Sequence, residues 1–331
     1  MKIDPTLRAL ADPTRLRIMR LLAHMELAVG ELAQVLGQSQ PRVSRHVRIL
    51  CDAGLAERHK EGSWVFLRSA IGEDKAPPLG AAAARLLAVA ERDDAQFAAR
   101  CAEDRRHLAA IRAARQTSAE TYFARHAAQW DTLRSLHAPD EPVEEALTRA
   151  LGTGSLGRLL DIGTGTGRIA ELLSAQADHV AALDKSPEML RLARTRLHDV
   201  PASRLELVQG DFTALPFGDG LFDTVLFHQV LHYAQEPAAA LAEAARVTRT
   251  GGRIAIVDFA AHDREELRER HAHARLGFTD EQMLGLLSGA GFAADPPLAL
   301  PGRELTVKIW TATRGPAEQP GQRAATTQSR A

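Results

Sequence analysis

Three aspartates in this sequence each close or follow an apolar run: Asp161 in LLDIGTGTGR, Asp184 in VAALDKSPEML and Asp211 in VQGDFTALPF. A carboxylate is an acceptor that can take several hydrogen bonds at once, which at Asp184 suits both hydroxyls of a ribose and at Asp211, beside Phe212, an adenine amino group. Asp161 opens a turn with Gly163, Gly165 and Gly167, where the backbone can approach a ligand and the next helix offers free N–H groups. The spacing is GxGxG, whereas the dinucleotide fingerprint is GxGxxG. Farther on, FDTVLFHQVLHYAQEP places His228 and His232 just beyond a fourth run, where either can act as a base, shape an acceptor site or simply line a pocket.

A second set of residues, near the start, suits a different chemistry. In QSQPRVSRHVRIL, Val43, Val47 and Leu50 recur on one helical face while Arg42, Arg45 and Arg48 fall on the other. A helix fixed by its apolar side and presenting donors outward can read the major groove of DNA, with Gln40, Ser44 and His46 completing the set. Ser39 is the expected N-cap, and Pro41 suits the first turn. Arg58, His59 and Lys60 then fall in a hairpin turning through Glu61-Gly62, where they can follow a phosphate strand or enter the minor groove. Three arginines on a helix are also compatible with a solvated face.

Elements must position these residues, and the length of 331 residues leaves room for about two domains. Residues 5–36 carry two helical periods punctuated by Pro13, Gly30 and Gly37. Residues from Leu79 to Arg115, rich in Ala, Arg, Leu and Glu, predict one long helix, and residues 117–150 two or three more, broken at HAPDEP. From residue 158 apolar strands alternate with amphipathic helices: 158–162, 178–184, 205–209, 222–228, 252–258, and a late pair near 292–300 and 304–312. That alternation is the pattern of a doubly wound α/β sheet. HAHARLGF falls on an expected helix, so His271 and His273, two residues apart, would point in different directions and hold no metal.

Composition sets the limits. Residues 1–70 hold eleven Lys and Arg against seven Asp and Glu, while the whole chain is −1, so nucleic acid is permitted at one end and disfavoured along the rest. No leader or long uncharged apolar run occurs, which leads to an expectation of a cytoplasmic protein that meets no membrane. Cys51 and Cys101 are the only cysteines, too few for a disulfide framework or a multi-thiolate zinc site.

The string LADPTRLRIMRLL…ELAVGELAQVLGQSQPRVSRHVRILCDAGLAERHKEGSWVFLR resembles the ArsR (arsenic-repressor) family of winged-helix regulators over some 65 residues. The resemblance implies a homodimer on a palindromic operator, usually repressing. Metal-sensing members carry Cys in the ELxVxDL segment; here Ala28 and Gly30 stand there and offer no thiolate, so metal sensing is disfavoured. Roughly residues 120–312 resemble the class I S-adenosylmethionine-dependent methyltransferases, particularly the ubiquinone/menaquinone-biosynthesis-like group. That resemblance implies S-adenosylmethionine or S-adenosylhomocysteine held by Asp161, Gly163, Thr164, Gly165 and Gly167 around the methionine part, Asp184 on the ribose, and Asp211 and Phe212 on the adenine. Lys185, Met189 and His228 complete the set, and YFARHAAQWD matches the family's lid, with Tyr122 and Trp130 over the cofactor or in the core.

The expected fold is therefore α plus α/β: a winged helix-turn-helix over 1–72, a linker or dimerisation helix over 73–117, a Rossmann-like seven-stranded methyltransferase fold over 118–313, and a disordered tail over 314–331. The arrangement resembles SahR-type regulators of the S-adenosylmethionine cycle. It implies a transcriptional regulator sensing S-adenosylmethionine or S-adenosylhomocysteine, the alternative being a small-molecule methyltransferase with an autoregulatory or dimerising helix-turn-helix.

Overall fold

The computed structural model describes residues 1–23, 25–61, 63–71, 77–131 and 140–316. The hairpin tip at Gly62, the linker residues 73–76, the first half of the HAPDEP break and the tail from residue 317 lie outside the described residues. The chain divides into two compact units: Met1–Ala119 with Asp263–Glu269, and Glu120–His262 with the chain from Arg270 onward.

The first unit begins with α1 (Ile3–Leu10), α2 (Pro13–Leu22), β1 (Leu27–Ala28), α3 (Val29–Leu36) and α4 (Gln40–Asp52). Asp12 caps α2 by accepting the Arg15 N–H at 3.0 Å, and α3 ends at Gly37, whose φ of 61° favours glycine. Ser39 stands at the N-cap of α4 in extended conformation, but its side chain makes no capping bond. Val43, Val47 and Leu50 are buried with Ile18, Leu27, Leu32 and Leu67 in one core. The strands β2 (Ala56–Glu61) and β3 (Trp64–Ser69) form the hairpin, in a sheet ordered β1-β3-β2.

The single long helix expected next is two, α5 (Pro78–Asp93) and α6 (Ala95–His126). Asp94 leaves helical geometry (φ −102°, ψ 102°), and its Oδ1 accepts the N–H groups of Gln96 and Phe97 at 2.9 and 3.0 Å. A local cap thus outweighs the helix propensity of the flanking residues. Helix α6 also runs past residue 117 without a break. Ala83, Leu87 and Leu108 join the core of the first unit, and the buried Asp104 receives the guanidinium of Arg17 at 2.5 Å.

The segment Asp263–Glu269 completes this unit at the hairpin. Arg268 donates to Glu61 at 2.7 Å, with side chains only 8% and 6% exposed, and its guanidinium lies 4.3 Å from the ring centroid of Trp64. Glu265 accepts the Ser63 N–H at 2.5 Å.

The second unit contains α7 (Asp140–Leu151), β4 (Gly157–Ile162), α8 (Arg168–Ser174), β5 (Ala177–Asp184), α9 (Pro187–Arg196), β6 (Leu205–Gln209) and β7 (Phe222–His228). It continues with α10 (Pro237–Val247), β8 (Thr248–Phe259), α11 (Glu265–Arg270), most of which belongs to the first unit, α12 (Asp280–Gly289), β9 (Phe292–Ala294), β10 (Leu298–Pro301) and β11 (Thr306–Arg314). The sheet runs β10-β11-β8-β7-β4-β5-β6, with β9 paired to β11. Seven strands were expected; the eighth is the three-residue β9. Strands β6, β5, β4, β7 and β8 are parallel, while β11 lies antiparallel to β8. Chain order reverses at β4 and β7, and a ligand crevice opens beyond the carboxyl ends of strands at such a switch point.

Two expectations fail in this unit. Arg314 belongs to β11, so the chain is still paired where the tail was expected to start. The helix expected at HAHARLGF is absent: α11 stops at Arg270 and Ala272 adopts a φ of 59°. Tertiary contacts win there, because the N–H groups of Ala274 and Arg275 donate to the His232 carbonyl at 3.0 and 2.9 Å instead of into a helix. No helix among the described residues is long and apolar enough to cross a membrane.

Candidate functional site

Helix α4 presents Gln40, Arg42, Ser44, Arg45 and Arg48 exposed, opposite its buried Val43, Val47 and Leu50. Arg58 and Lys60 are likewise exposed on β2. Among the described residues none of these five cations is engaged in an ion pair. The two histidines differ. His46 is turned toward Asp12, 3.6 Å away, and burial holds its imidazole below the usual range despite that carboxylate, so it is neutral at pH 7. His59 stacks on Phe66 at 5.5 Å and contacts Glu26 at 3.1 Å. The five cations and Gln40 are thus exposed, while both histidines are half-buried against their neighbours.

Burial pushes the thiols of Cys51 and Cys101 up, so both are kept protonated.

In the second unit β4 delivers Asp161, 1% exposed, to the start of the glycine turn. Gly163 has a φ of 71°, and a Cβ there would sit 2.4 Å from Val230 Cγ2, so the segment after β7 packs directly on the turn. Gly165 donates its N–H to Asp184 Oδ2 at 2.8 Å, and Ser186 donates to Oδ1 at 2.8 Å. Asp184 is thereby fixed at the end of β5 beside the turn, while burial raises its carboxyl above the usual range. The backbone N–H of Lys185 also bonds this carboxylate, so three main-chain donors hold it in place.

Asp211 is differently engaged. Its Oδ1 accepts from the Thr213 N–H and hydroxyl at 2.9 and 2.7 Å, and its Oδ2 from Lys185 at 2.9 Å. Burial opposes ionisation, but these donors hold Asp211 below the usual carboxylate range. Lys185 also pairs with Glu120 at 2.9 Å. Phe212 is half-buried against the core, and Met189 is buried, 3% exposed.

Over the turn lies an aromatic cluster. Trp130 Nε1 would be 3.5 Å from a Cβ at Gly165, and Phe123 meets Trp130 and Tyr233 edge-on at 5.3 and 4.9 Å. The Tyr122 hydroxyl instead bonds His271 Nδ1 at 2.9 Å. Trp130 therefore stands at the turn, and Tyr122 stands away from it.

Sequence reasoning missed two arrangements. The Thr166 hydroxyl, inside the turn, donates to Asp131 at 2.7 Å; Arg196 donates to that hydroxyl and to Asp131, each at 2.6 Å. His232 Nδ1 lies 2.7 Å from Asp258 Oδ1, and the His232 backbone N–H donates to Oδ2 at 3.1 Å, with both side chains at most 2% exposed. Asp258 fixes the Nδ1–H tautomer and leaves Nε2 as an acceptor. His273 stacks on this imidazole at 4.1 Å. The only available signal for Asp258 was an acidic residue in an otherwise apolar strand, IAIVDF.

Among the described residues the buried Thr164 hydroxyl, Gln229 Oε1 and His232 Nε2 have no hydrogen-bond partner. They belong to the turn after β4 and the segment after β7, two neighbouring strands, and Gln229 is itself held at a φ of 52°. Buried polar atoms without partners await one. With the tight glycine backbone and Asp184, they fit a polar ligand bearing hydroxyl and amino-acid groups.

Comparison with known proteins agrees. Residues 12–58 match the family described as bacterial regulatory protein, arsR family, and residues 160–256 that described as methyltransferase domain. The chain is 41% identical over 114 residues to a demethylmenaquinone methyltransferase of Clavibacter sepedonicus, an alignment covering 34% of this chain and 46% of that protein. It is 33% identical over 168 residues to a malonyl-(acyl-carrier protein) O-methyltransferase of Serratia marcescens, covering 47% and 62% respectively. The chain thus spans about half the length of these curated relatives. The structure solved as a complex with the Haloferax volcanii Trm112 methyltransferase activator shares the fold, with a TM-score of 0.50 at 19% identity over 59% of this chain and 98% of that one. One chain thus carries a match to the arsR-family description over residues 12–58 and a match to the methyltransferase-domain description over residues 160–256.

Proposed function

We propose that this protein is a transcriptional regulator, a repressor, that binds double-stranded DNA and takes S-adenosylmethionine or S-adenosylhomocysteine as its effector. The observation that carries the reading is one chain holding both exposed cations without an ion pair among the described residues (Arg42, Arg45, Arg48, Arg58 and Lys60) and a glycine turn with Asp184 bound to its backbone. The first set meets phosphate and base edges, with Gln40 and Ser44 at the start of the helix. The second would hold the S-adenosyl ligand: Asp161, Gly163, Thr164, Gly165, Gly167 and His228 about the amino-acid part, Asp184 on the ribose, and Asp211 with Phe212 on the adenine.

The reading includes a cytoplasmic homodimer on a palindromic operator. Support for self-association comes from Ile3 and Leu7 on α1 and Leu86 and Val89 on α5, exposed large apolar side chains on the two helices. Regulation requires that the ligand bind two protein states unequally; a tenfold change in operator affinity corresponds to about 1.4 kcal/mol of coupling.

The dyad favours a second reading, a small-molecule methyltransferase. S-adenosylmethionine would supply an activated methyl group. His232 Nε2 would take the proton of an acceptor as that acceptor attacks, and Asp258 would stabilise the imidazolium.

The deciding experiment is fluorescence anisotropy of the full-length protein on a DNA fragment containing its own promoter, alone and with each S-adenosyl compound. The regulator reading expects operator affinity to change at least fivefold with one of them. Salt-sensitive binding indifferent to both overturns the effector role.

A further inference from the structure

We propose that Arg196 is a positioning residue for the S-adenosyl ligand, acting through Thr166 and Asp131 to hold Trp130 as a lid on the glycine turn. The inference rests on the reading of that turn as an S-adenosyl site.

Three segments far apart in sequence meet here. Trp130 and Asp131 follow the short 3-10 turn Ala127–Gln129, Thr166 lies between Gly165 and Gly167, and Arg196 is the last residue of α9. The contacts close a ring: the Thr166 hydroxyl donates to Asp131 Oδ1 at 2.7 Å, while Arg196 donates to that hydroxyl and to Asp131 Oδ2, each at 2.6 Å. A hydroxyl that donates to one partner and accepts from another is fixed in orientation, and the planar guanidinium spans both partners from one side. The residue after Trp130 is thus bonded to the residue after Gly165, and Trp130 Nε1 comes to 3.5 Å from where a Gly165 Cβ would be.

This arrangement exceeds what fold stability needs. Arg196 and Asp131 are 28% and 32% exposed, a position where an ion pair contributes little to stability. Its neighbours place it at the ligand: one limb ends inside the glycine turn, and the other beside the indole that faces the turn. A second tie, from Glu120 through Lys185 to Asp211, joins the same α6 chain to another carboxylate of the site. Release of a ligand beneath Trp130 then requires the ring to open, so the ring sets the dissociation rate.

The test is stopped-flow fluorescence and calorimetry with S-adenosylhomocysteine on the full-length protein. The chain has three tryptophans, so Trp130→Phe assigns the binding signal to Trp130 by abolishing it. Arg196→Met should weaken affinity about tenfold, almost wholly through faster dissociation, while the melting temperature stays within a few degrees. Arg196→Lys, which keeps the charge and one donor, should recover part of the loss, and Thr166→Val, cutting the ring at its centre, should match Arg196→Met. If the unaltered protein binds S-adenosylhomocysteine but folded Arg196→Met and Thr166→Val release it at the unaltered rate, the positioning role is wrong and the S-adenosyl reading stands. If the unaltered protein does not bind it, the S-adenosyl reading fails and the positioning role fails with it.

Discussion

The two proposed recognition surfaces of this chain are built in opposite ways. On α4 and β2 the functional cations carry no partner among the described residues, whereas at the glycine turn Asp184, Asp211, Lys185, Thr166 and Arg196 are each already bonded to the protein. The difference follows from what each surface meets. A polyanion supplies strong charge along its whole length and rewards mobile cations by counterion release. A small neutral or zwitterionic ligand supplies a few groups at fixed places, and the site must hold its acceptors in position beforehand.

The largest effect that would break this contrast is on the DNA side. Replacing Arg42, Arg45 and Lys60 together with Ala should lower operator affinity by more than a hundredfold and reduce the slope of log K against log salt by about 3. An unchanged slope in a salt titration means these cations do not meet phosphate. Next, Asp184→Ala should cost about a hundredfold in S-adenosylhomocysteine affinity by calorimetry, because a charged acceptor and its backbone contacts are lost together. Operator binding without ligand should remain, and its loss would show that the two surfaces are not separable.

A smaller effect sharpens the contrast through pH. Asp184 is raised by burial, so on acidification its carboxylate is protonated earlier than an ordinary aspartate and loses acceptor strength. S-adenosylhomocysteine affinity should therefore fall with pH, beginning above the range where Asp211, held low by Thr213 and Lys185, is affected. Asp184→Asn should flatten that limb of the profile. The smallest effect concerns His232→Gln, whose amide can still offer an acceptor to the ligand, so S-adenosylhomocysteine affinity should stay within about threefold while any methyl transfer dependent on proton uptake at Nε2 is abolished. Retained turnover in this variant would remove His232 as a base.

Sequence alone disclosed the strands, their order of aspartates and the glycine turn, because each is encoded within a dozen contiguous residues such as LLDIGTGTGR. The amphipathic α4 was legible for the same reason. What escaped has a long reach in sequence. Arg196 in RLARTRL looks like any helix-terminal arginine until folding sets it 65 residues back against Asp131. Asp94 sits in a run of strong helix formers, where propensity favours continuation and one side-chain cap decides otherwise. His271 and His273 read as helical until contacts with Tyr122 and His232 fix them in a turn.

The closure of the hairpin by Asp263–Glu269 also bears on the order in which this protein can be made. Arg268 lies 207 residues after the Glu61 it neutralises. At about 5–20 residues per second, a ribosome needs roughly 10–40 s between the two. For that interval Glu61 has no Arg268, and of the two guanidinium groups over the Trp64 ring only that of Arg115, 5.4 Å from the centroid, has been made. The last ion pair of the hairpin therefore forms only after most of the chain has been translated, and a gene fragment ending at residue 119 would encode the amino-terminal region without it.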